Sequence, residues 1–227
     1  MYMANDIPDW SIDIAQSIMA QVKKKDTETF EHCVRVSRMA RLLSDSAGLS
    51  IAESRVVEYA GLFHDIGKVG VPDEILMKPA KLTDHEYEVM KSHPVLSVEI
   101  LKPISHLEFF ALTIPGVRHH HERFDGRGYP VGLMGEDIPL ASRIILVVDT
   151  FDAMTWSRPY RKGLPWEVAY KELREFAGRQ FDPKLVDIFL NAHPKWNPRD
   201  QEIFSEVNNT ILAGLSPSPV LRSNAAA

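Results

Sequence analysis

The chain has 227 residues, 44% hydrophobic and 25% charged, the balance of a globular protein with one large domain or two small ones. Disordered and collagen-like chains are excluded by that balance, and a disulfide-stapled one by the presence of a single cysteine, Cys33. With 26 basic against 31 acidic side chains and a formal net charge of −5, it is a poor non-specific binder of a nucleic-acid polymer or an anionic membrane, both of which need a net basic face.

The first ten residues carry neither the basic nor the apolar region of a signal peptide. Trp10, Ile14, Ile18, Met19 and Val22 then fall at steps of three and four, which predicts a helix over Trp10–Val22. Such a helix would either pack on the body of the domain or pair two chains as a homodimer. A second helix is predicted over Thr29–Ala47, with Gly48 as its stop. Ser50 and Glu53 form a capping-box pair for a third, running to about Gly67, and Thr83 with Glu86 repeats that signature. Pro94 interrupts or restarts the helix that follows. From His121 to Pro139, six glycines and prolines mark one long irregular stretch (Gly126, Gly128, Pro130, Gly132, Gly135, Pro139), of a length usually either functional or disordered. Leu140–Trp156 contains no glycine or proline and is predicted as a helix. Its aliphatic run Ile144–Val148 falls far short of the ~20 apolar residues of a membrane span. No membrane span and a cytoplasmic setting are expected. Further helices are predicted over Trp166–Ala177, Pro183–Ala192 and Arg199–Leu212. The expected organisation is an N-terminal helix (1–25), one domain (26–215) and a disordered tail (216–227).

The chemistry lies in the histidines. There are nine, several beside acidic residues, in a chain with one cysteine; nitrogen and oxygen ligands are indicated rather than a zinc finger. Glu28 and His32 stand one helical turn apart on the same face. His64-Asp65 ends the apolar stretch Ala60–Phe63, and a buried charge there must be paired or coordinate a metal. His93 precedes Pro94, His120-His121 opens the glycine-rich loop, and Asp149 closes the aliphatic run with Asp152 three residues on. Imidazole and carboxylate suit iron, manganese or zinc, and a carboxylate can bridge two ions. Two or three divalent cations about 3.5–4 Å apart would activate a water and clamp a phosphate. Taken singly, each histidine is more simply a core or surface residue, and His85, His106, His119 and His193 stay in that class. Asp152 fits a capping or helix-pair role equally well. Only the ordered combination carries the metal assignment.

That combination resembles the HD superfamily of phosphohydrolases, and more closely its HD-GYP branch. His64–Pro72 (HDIGKVGVP) matches the branch's extended HD motif, and His120–Pro130 (HHERFDGRGYP) matches its HHExxDGxGYP motif. Asp149–Met154 (DTFDAM), Arg158–Lys162 (RPYRK) and Phe181-Asp182-Pro183 match its downstream segments. The resemblance covers roughly Asp26 to Leu190. It implies an all-α HD-domain helical bundle with a long glycine-rich GYP loop. The implied activity is hydrolysis of cyclic di-GMP to linear pGpG and/or GMP, with two or three divalent metal ions. Iron or manganese is expected first, with magnesium, zinc, nickel or cobalt as alternatives.

The ligands carried over by motif are His32, His64, Asp65, His93, His120, His121 and Asp149, with Asp65 bridging. Glu28 occupies the position that supplies an extra carboxylate in trinuclear members. Lys68 matches the lysine beside metals and phosphate, which makes Asp65 and Lys68 the catalytic candidates. Arg158 and Arg161 match basic residues that contact cyclic di-GMP, and join Lys68 as substrate-binding candidates. Gly128-Tyr129-Pro130 is a turn that folds a long loop back, and the resemblance adds contact with signalling-protein partners. Ala80 and Gly61 depart from the family's usual glycine and alanine without touching a ligand. Two other functions stay open: hydrolysis of another cyclic dinucleotide or a nucleotide, and a cyclic di-GMP-sensing module without turnover. The chain is expected to be either a stand-alone protein or an excised domain.

Overall fold

A computed structural model describes residues 9–157 and 162–196; their regular structure is helical, apart from one isolated bridge between Ala177 and Phe181. Helix α1 (Asp9–Lys25) packs on α2 (Thr27–Ser46), burying Ala15, Met19 and Val22 and half-burying Ile14 and Ile18. Its apolar stripe is therefore used inside the chain. Asp26 starts α2 by accepting the backbone N–H groups of Glu28 and Thr29. Gly48, at φ +81°, supplies the left-handed residue that ends it.

Helix α3 (Ile51–Phe63) opens with the expected capping box but stops short of Gly67, and the chain tightens into a 3₁₀ turn over Ile66–Gly70. The cause is a backbone-to-backbone approach. A Cβ on Gly67 would lie 2.1 Å from the His93 carbonyl oxygen and 2.5 Å from the Ser97 nitrogen. Ser97 Oγ seals the contact, accepting from Gly67 N–H at 2.8 Å and donating to the His64 carbonyl at 2.9 Å. This turn is locked onto a later helix, and no period in the local sequence marks it.

Short α4 (Asp73–Leu76) and α5 (Asp84–Met90) follow, the latter capped by Thr83 and Glu86 as expected. Helix α6 (His93–Leu101) restarts at Pro94. Helix α7 (Glu108–Arg118) has no counterpart in the sequence reading, because Pro115 sits inside it and removes one internal hydrogen bond. Central α8 (Leu140–Thr155) buries Ile144–Val148 and Phe151, and is covered by α2, α3, α7, α9 (Trp166–Glu175) and α10 (Pro183–Ala192). A helix enclosed on most sides needs apolar residues all round, which accounts for the aliphatic run. Asp182 caps α10 through Lys184 N–H and takes Arg143 at 2.6 Å. No helix among the described residues is long and apolar enough to cross a membrane. The helix expected over Arg199–Leu212 and the tail lie outside the described residues.

Behind α8, His193 is buried among Phe151, Trp166, Phe189 and Trp196, with its Nδ1 2.7 Å from the Tyr170 hydroxyl. Burial pushes its pKa from 6.5 down to about 4. The unfolded chain thus takes up a proton there before the folded one does, and stability falls as pH drops from about 6.5 to about 4. His193→Leu should flatten this acid limb in urea unfolding measured from pH 7 to pH 4, whatever it does to stability at pH 8. An unchanged slope would show that His193 does not contribute.

Candidate metal centre

Five chain segments converge on one cluster. His32 comes from α2, His64 and Asp65 from the end of α3, and His93 from the start of α6. His120 and His121 follow α7, and Asp149 lies on α8. Asp65 is central: its Oδ1 is 3.1 Å from His93 Nε2, and its Oδ2 is 3.4 Å from His64 Nε2 and 3.7 Å from His32 Nε2. His32 Nε2 lies 3.1 Å from Asp149 Oδ1. His93 Nε2 is 3.2 Å from the Nε2 atoms of both His120 and His121. Three overlapping triads have donor atoms within 4.8 Å of one another: His93/His120/His121, His32/His64/Asp149 and His64/Asp65/His120. The structure therefore brings together all seven of these expected ligands.

The outer ring nitrogens decide what the inner ones present. The Nδ1 atoms of His64, His93 and His120 lie 2.7, 2.8 and 2.7 Å from the carbonyl oxygens of Gly61, Met90 and Val117. A carbonyl only accepts, so each Nδ1 carries the proton and each Nε2 turns a lone pair inward. Two such lone pairs 3.2 Å apart, on His93 and His120, repel. His64 Nε2 is buried without a hydrogen-bond partner. A cation among these atoms answers both facts, so the residues present fit a divalent metal.

The electrostatics agree. Burial, with His121 close by, holds His120 well below the usual histidine range, and burial with His93 lowers His121 to about 3. Both are neutral imidazoles at physiological pH. Burial would raise the pKa of Asp65, but Lys68, His64 and His93 outweigh it and keep the carboxyl well below its usual range. Burial of Asp149 is outweighed in the same way, chiefly by His32. Burial works against the charged form of His32, yet Asp149 and Asp152 raise its pKa to about 9. Lys68 Nζ sits 2.5 Å from Asp65 Oδ2; burial opposes its charge, but Asp65 raises its pKa and keeps it cationic.

The remaining candidates separate clearly. Glu28 is half-buried one turn before His32, and belongs to none of the three triads. Asp152 is neither a cap nor a pair within its own helix: its Oδ2 accepts the His32 Nδ1 proton across 2.7 Å, from α8 to α2. Arg158 and Arg161 lie outside the described residues. His85 and His106 are exposed, and His119 faces Glu122 at 3.5 Å.

The loop after His121 is built around that Glu122, to which the sequence reading assigned no role. Its buried carboxylate accepts the backbone N–H groups of Val131, Gly132 and Leu133 at 2.8–3.1 Å. Gly128 passes so close to the preceding turn that a Cβ would lie 2.3 Å from Arg123 N and 2.5 Å from Glu122 Cα. Tyr129 then stacks on the His121 ring, centroids 4.7 Å apart. Gly128-Tyr129-Pro130 thus has a structural task, which is to return the loop onto His121 of the cluster.

The family model for the HD domain matches residues 11–185. The chain belongs to the HD domain family. It carries the motif of the HD-GYP branch, and is 39% identical over 188 residues to the cyclic di-GMP phosphodiesterase response regulator RpfG of Xanthomonas campestris, covering 83% of this chain and 50% of that protein. To the 3′3′-cGAMP-specific phosphodiesterase 2 of Vibrio cholerae it is 36% identical over 187 residues, covering 82% of this chain and 35% of the relative. The chain therefore spans half or less of the length of these relatives. A cyclic GMP-AMP-specific phosphodiesterase of V. cholerae, V-cGAP3, shares the fold at a TM-score of 0.58 and 19% identity, over 88% of this chain and 53% of that one.

In this HD domain the Glu122 clasp should be worth measuring directly. Glu122→Ala leaves three backbone donors without their acceptor and should cost about 2–4 kcal/mol in urea unfolding. Glu122→Gln, which keeps one carbonyl oxygen, should cost less. Equal stability for all three proteins would remove the clasp from the account of the loop.

Proposed function

We propose that this HD domain is a metal-dependent phosphodiesterase that opens cyclic di-GMP to linear pGpG and/or GMP. The observation that supports it most is the convergence of inward-facing imidazole lone pairs and two ionised carboxylates, with the cationic Lys68 beside them. His32, His64, Asp65, His93, His120, His121 and Asp149 hold two ions and Glu28 a third, with iron or manganese as the native metal. Bound divalent ions supply Lewis-acid polarisation of a phosphate and an acidified water. Asp65, whose two oxygens face different histidines, is the bridging ligand. Lys68 stays protonated and holds the charge that builds on the phosphate oxygens. Arg158 and Arg161 hold the distal phosphate or a guanine edge by paired hydrogen bonds. The GYP loop offers a signalling-protein partner its exposed Val131 and Met134.

A second reading is favoured by one fact: a 3′3′-cGAMP-specific relative is 36% identical beside 39% for RpfG. The substrate is then another cyclic dinucleotide. Anaerobic incubation with ferrous or manganous ion and either cyclic di-GMP or 3′3′-cGAMP, followed by chromatography, separates the cases. Faster turnover of cyclic di-GMP supports the first reading and faster turnover of cGAMP the second. No product from either leaves a binding module.

The metal assignments make their own predictions. Asp65→Ala should lose more than one ion per chain by elemental analysis, because a bridging carboxylate serves two; a full complement would end the bridging role. Glu28→Gln should lose about one ion with the fold intact, since one half-buried surface carboxylate adds little to the core. An unchanged ion count would end the third site.

For the substrate arm, Arg158→Ala should raise KM for cyclic di-GMP about 10-fold or more, the loss of one charge-assisted contact worth 1.5–3 kcal/mol. Metal content should not change, and a small generic phosphodiester, which has no second phosphate, should barely respond. Equal losses on both substrates would place Arg158 in the chemistry or the fold instead.

A further inference from the structure

His32 is gripped at both ring nitrogens by carboxylates of one helix. Asp149 faces Nε2 at 3.1 Å, on the side of the cluster, and Asp152 accepts Nδ1–H at 2.7 Å from behind. Two ionised carboxylates one turn apart on α8 would compete for the same positive charge. What separates their roles is Arg35, three residues beyond His32 on α2, which the sequence reading did not single out. Its Nε donates to Asp152 Oδ1 at 2.7 Å and its Nη2 to Oδ2 at 2.9 Å, a two-point fork that fixes the plane of the carboxylate. The guanidinium in turn lies 3.8 Å from the ring of Trp156, at the end of α8. Asp152 is almost wholly buried, with 4% of its side chain exposed, while Arg35 reaches the surface at 20%.

We propose that Arg35 is a positioning residue of the metal centre, acting on His32 through Asp152. With both its oxygens held, Asp152 cannot turn toward the cluster, and keeps one lone pair for the His32 Nδ1 proton. His32 Nε2 is thereby fixed as a ligand, and Asp149 is left as the α8 carboxylate that faces the metal. Without the fork, Asp152 is a buried carboxylate short of a partner, a costly state. Rotation past His32 toward an ion held in the cluster would relieve it. Lysine cannot replace arginine in this role, because a single ammonium neither forks two oxygens nor lies flat on an indole.

The inference rests on the metal centre proposed above, and the test keeps the two apart. Manganous ion affinity is measured on the full chain by chelator competition for wild type, Arg35→Lys, Arg35→Ala, Asp152→Asn and the Arg35→Ala/Asp152→Asn double variant. Thermal unfolding of each metal-free protein is followed alongside. One ion should bind about 10- to 100-fold more weakly in Arg35→Lys and in Asp152→Asn, with helical content and metal-free unfolding near those of wild type. The double variant should be no worse than Asp152→Asn alone, because the two residues act in series. Wild-type affinity in Arg35→Lys would overturn the proposal, since charge without the fork would then suffice. So would losses that multiply in the double variant, or a uniform weakening of every ion that tracks metal-free stability. Failure of the wild-type chain to bind manganous ion would instead overturn the metal centre, and this inference with it.

Discussion

Three histidines of the cluster give their Nδ1 protons to a carbonyl three residues earlier in the chain: His64 to Gly61, His93 to Met90 and His120 to Val117. These bonds are short-range, and each needs only that the histidine sit at or just beyond a helix end, where carbonyls lack helical partners. His64 follows α3, His93 begins α6 just after α5, and His120 follows α7. The same local geometry is thus repeated at three places, and each time it turns a lone pair inward. Six neutral or anionic groups facing one another cannot be stable by packing alone. The cation that they would share is what makes their proximity tolerable.

The scaffold exists to bring those helix ends together at backbone distance. Gly67 lies against the start of α6, and a Cβ on Gly116 would come within 2.8 Å of Ala60 and 2.9 Å of Ala141, where α7 meets α3 and α8. Helices that close leave little room for adjustment. Ser142 Oγ donates to the Pro115 and Gly116 carbonyls, which ties the last turn of α7 to α8. Rigidity at these crossings matters more to the site than the size of the core, because a ligand misplaced by a fraction of an ångström no longer matches its neighbours.

Much of this was legible in the sequence, for reasons that differ from one element to another. Helices α2, α3 and α5 announce themselves through caps and periodicity, which are local, and Pro183–Ala192 matches α10 residue for residue. Helix α7 did not, because an interior proline reads locally as a helix break. The early stop of α3 was hidden for a different reason: it is dictated by α6, thirty positions away. Among site residues, the seven clustered histidines and aspartates were readable as a motif. Asp152 was ambiguous because its partner is on another helix, and Arg35 was silent because an arginine on a helix is ordinarily a surface charge. Glu122 lay inside a motif whose residues draw attention to metal, yet its own task is mechanical. Neighbours that act across the fold leave no spacing to count.

The use of imidazoles in place of further carboxylates bears on how a chain with net charge −5 could receive a cyclic dinucleotide, itself a dianion. Net charge is a long-range quantity, screened within about 8–10 Å in physiological salt, whereas the cleft is governed by what stands in it. Two divalent ions, as proposed, would outweigh the two carboxylates Asp65 and Asp149, the five histidines would subtract nothing, and Lys68 would add a further positive charge. Asp152 would tip that balance if its charge also faced the cluster, but Arg35 neutralises it on the far side of His32. A third ion on Glu28 would bring two charges for the one carboxylate it consumes. Each step would make the cluster more cationic within a chain of acidic net charge. A site so charged would favour a ligand that brings its phosphates to the ions, while the net charge of the chain works against non-specific binding of long polyanions.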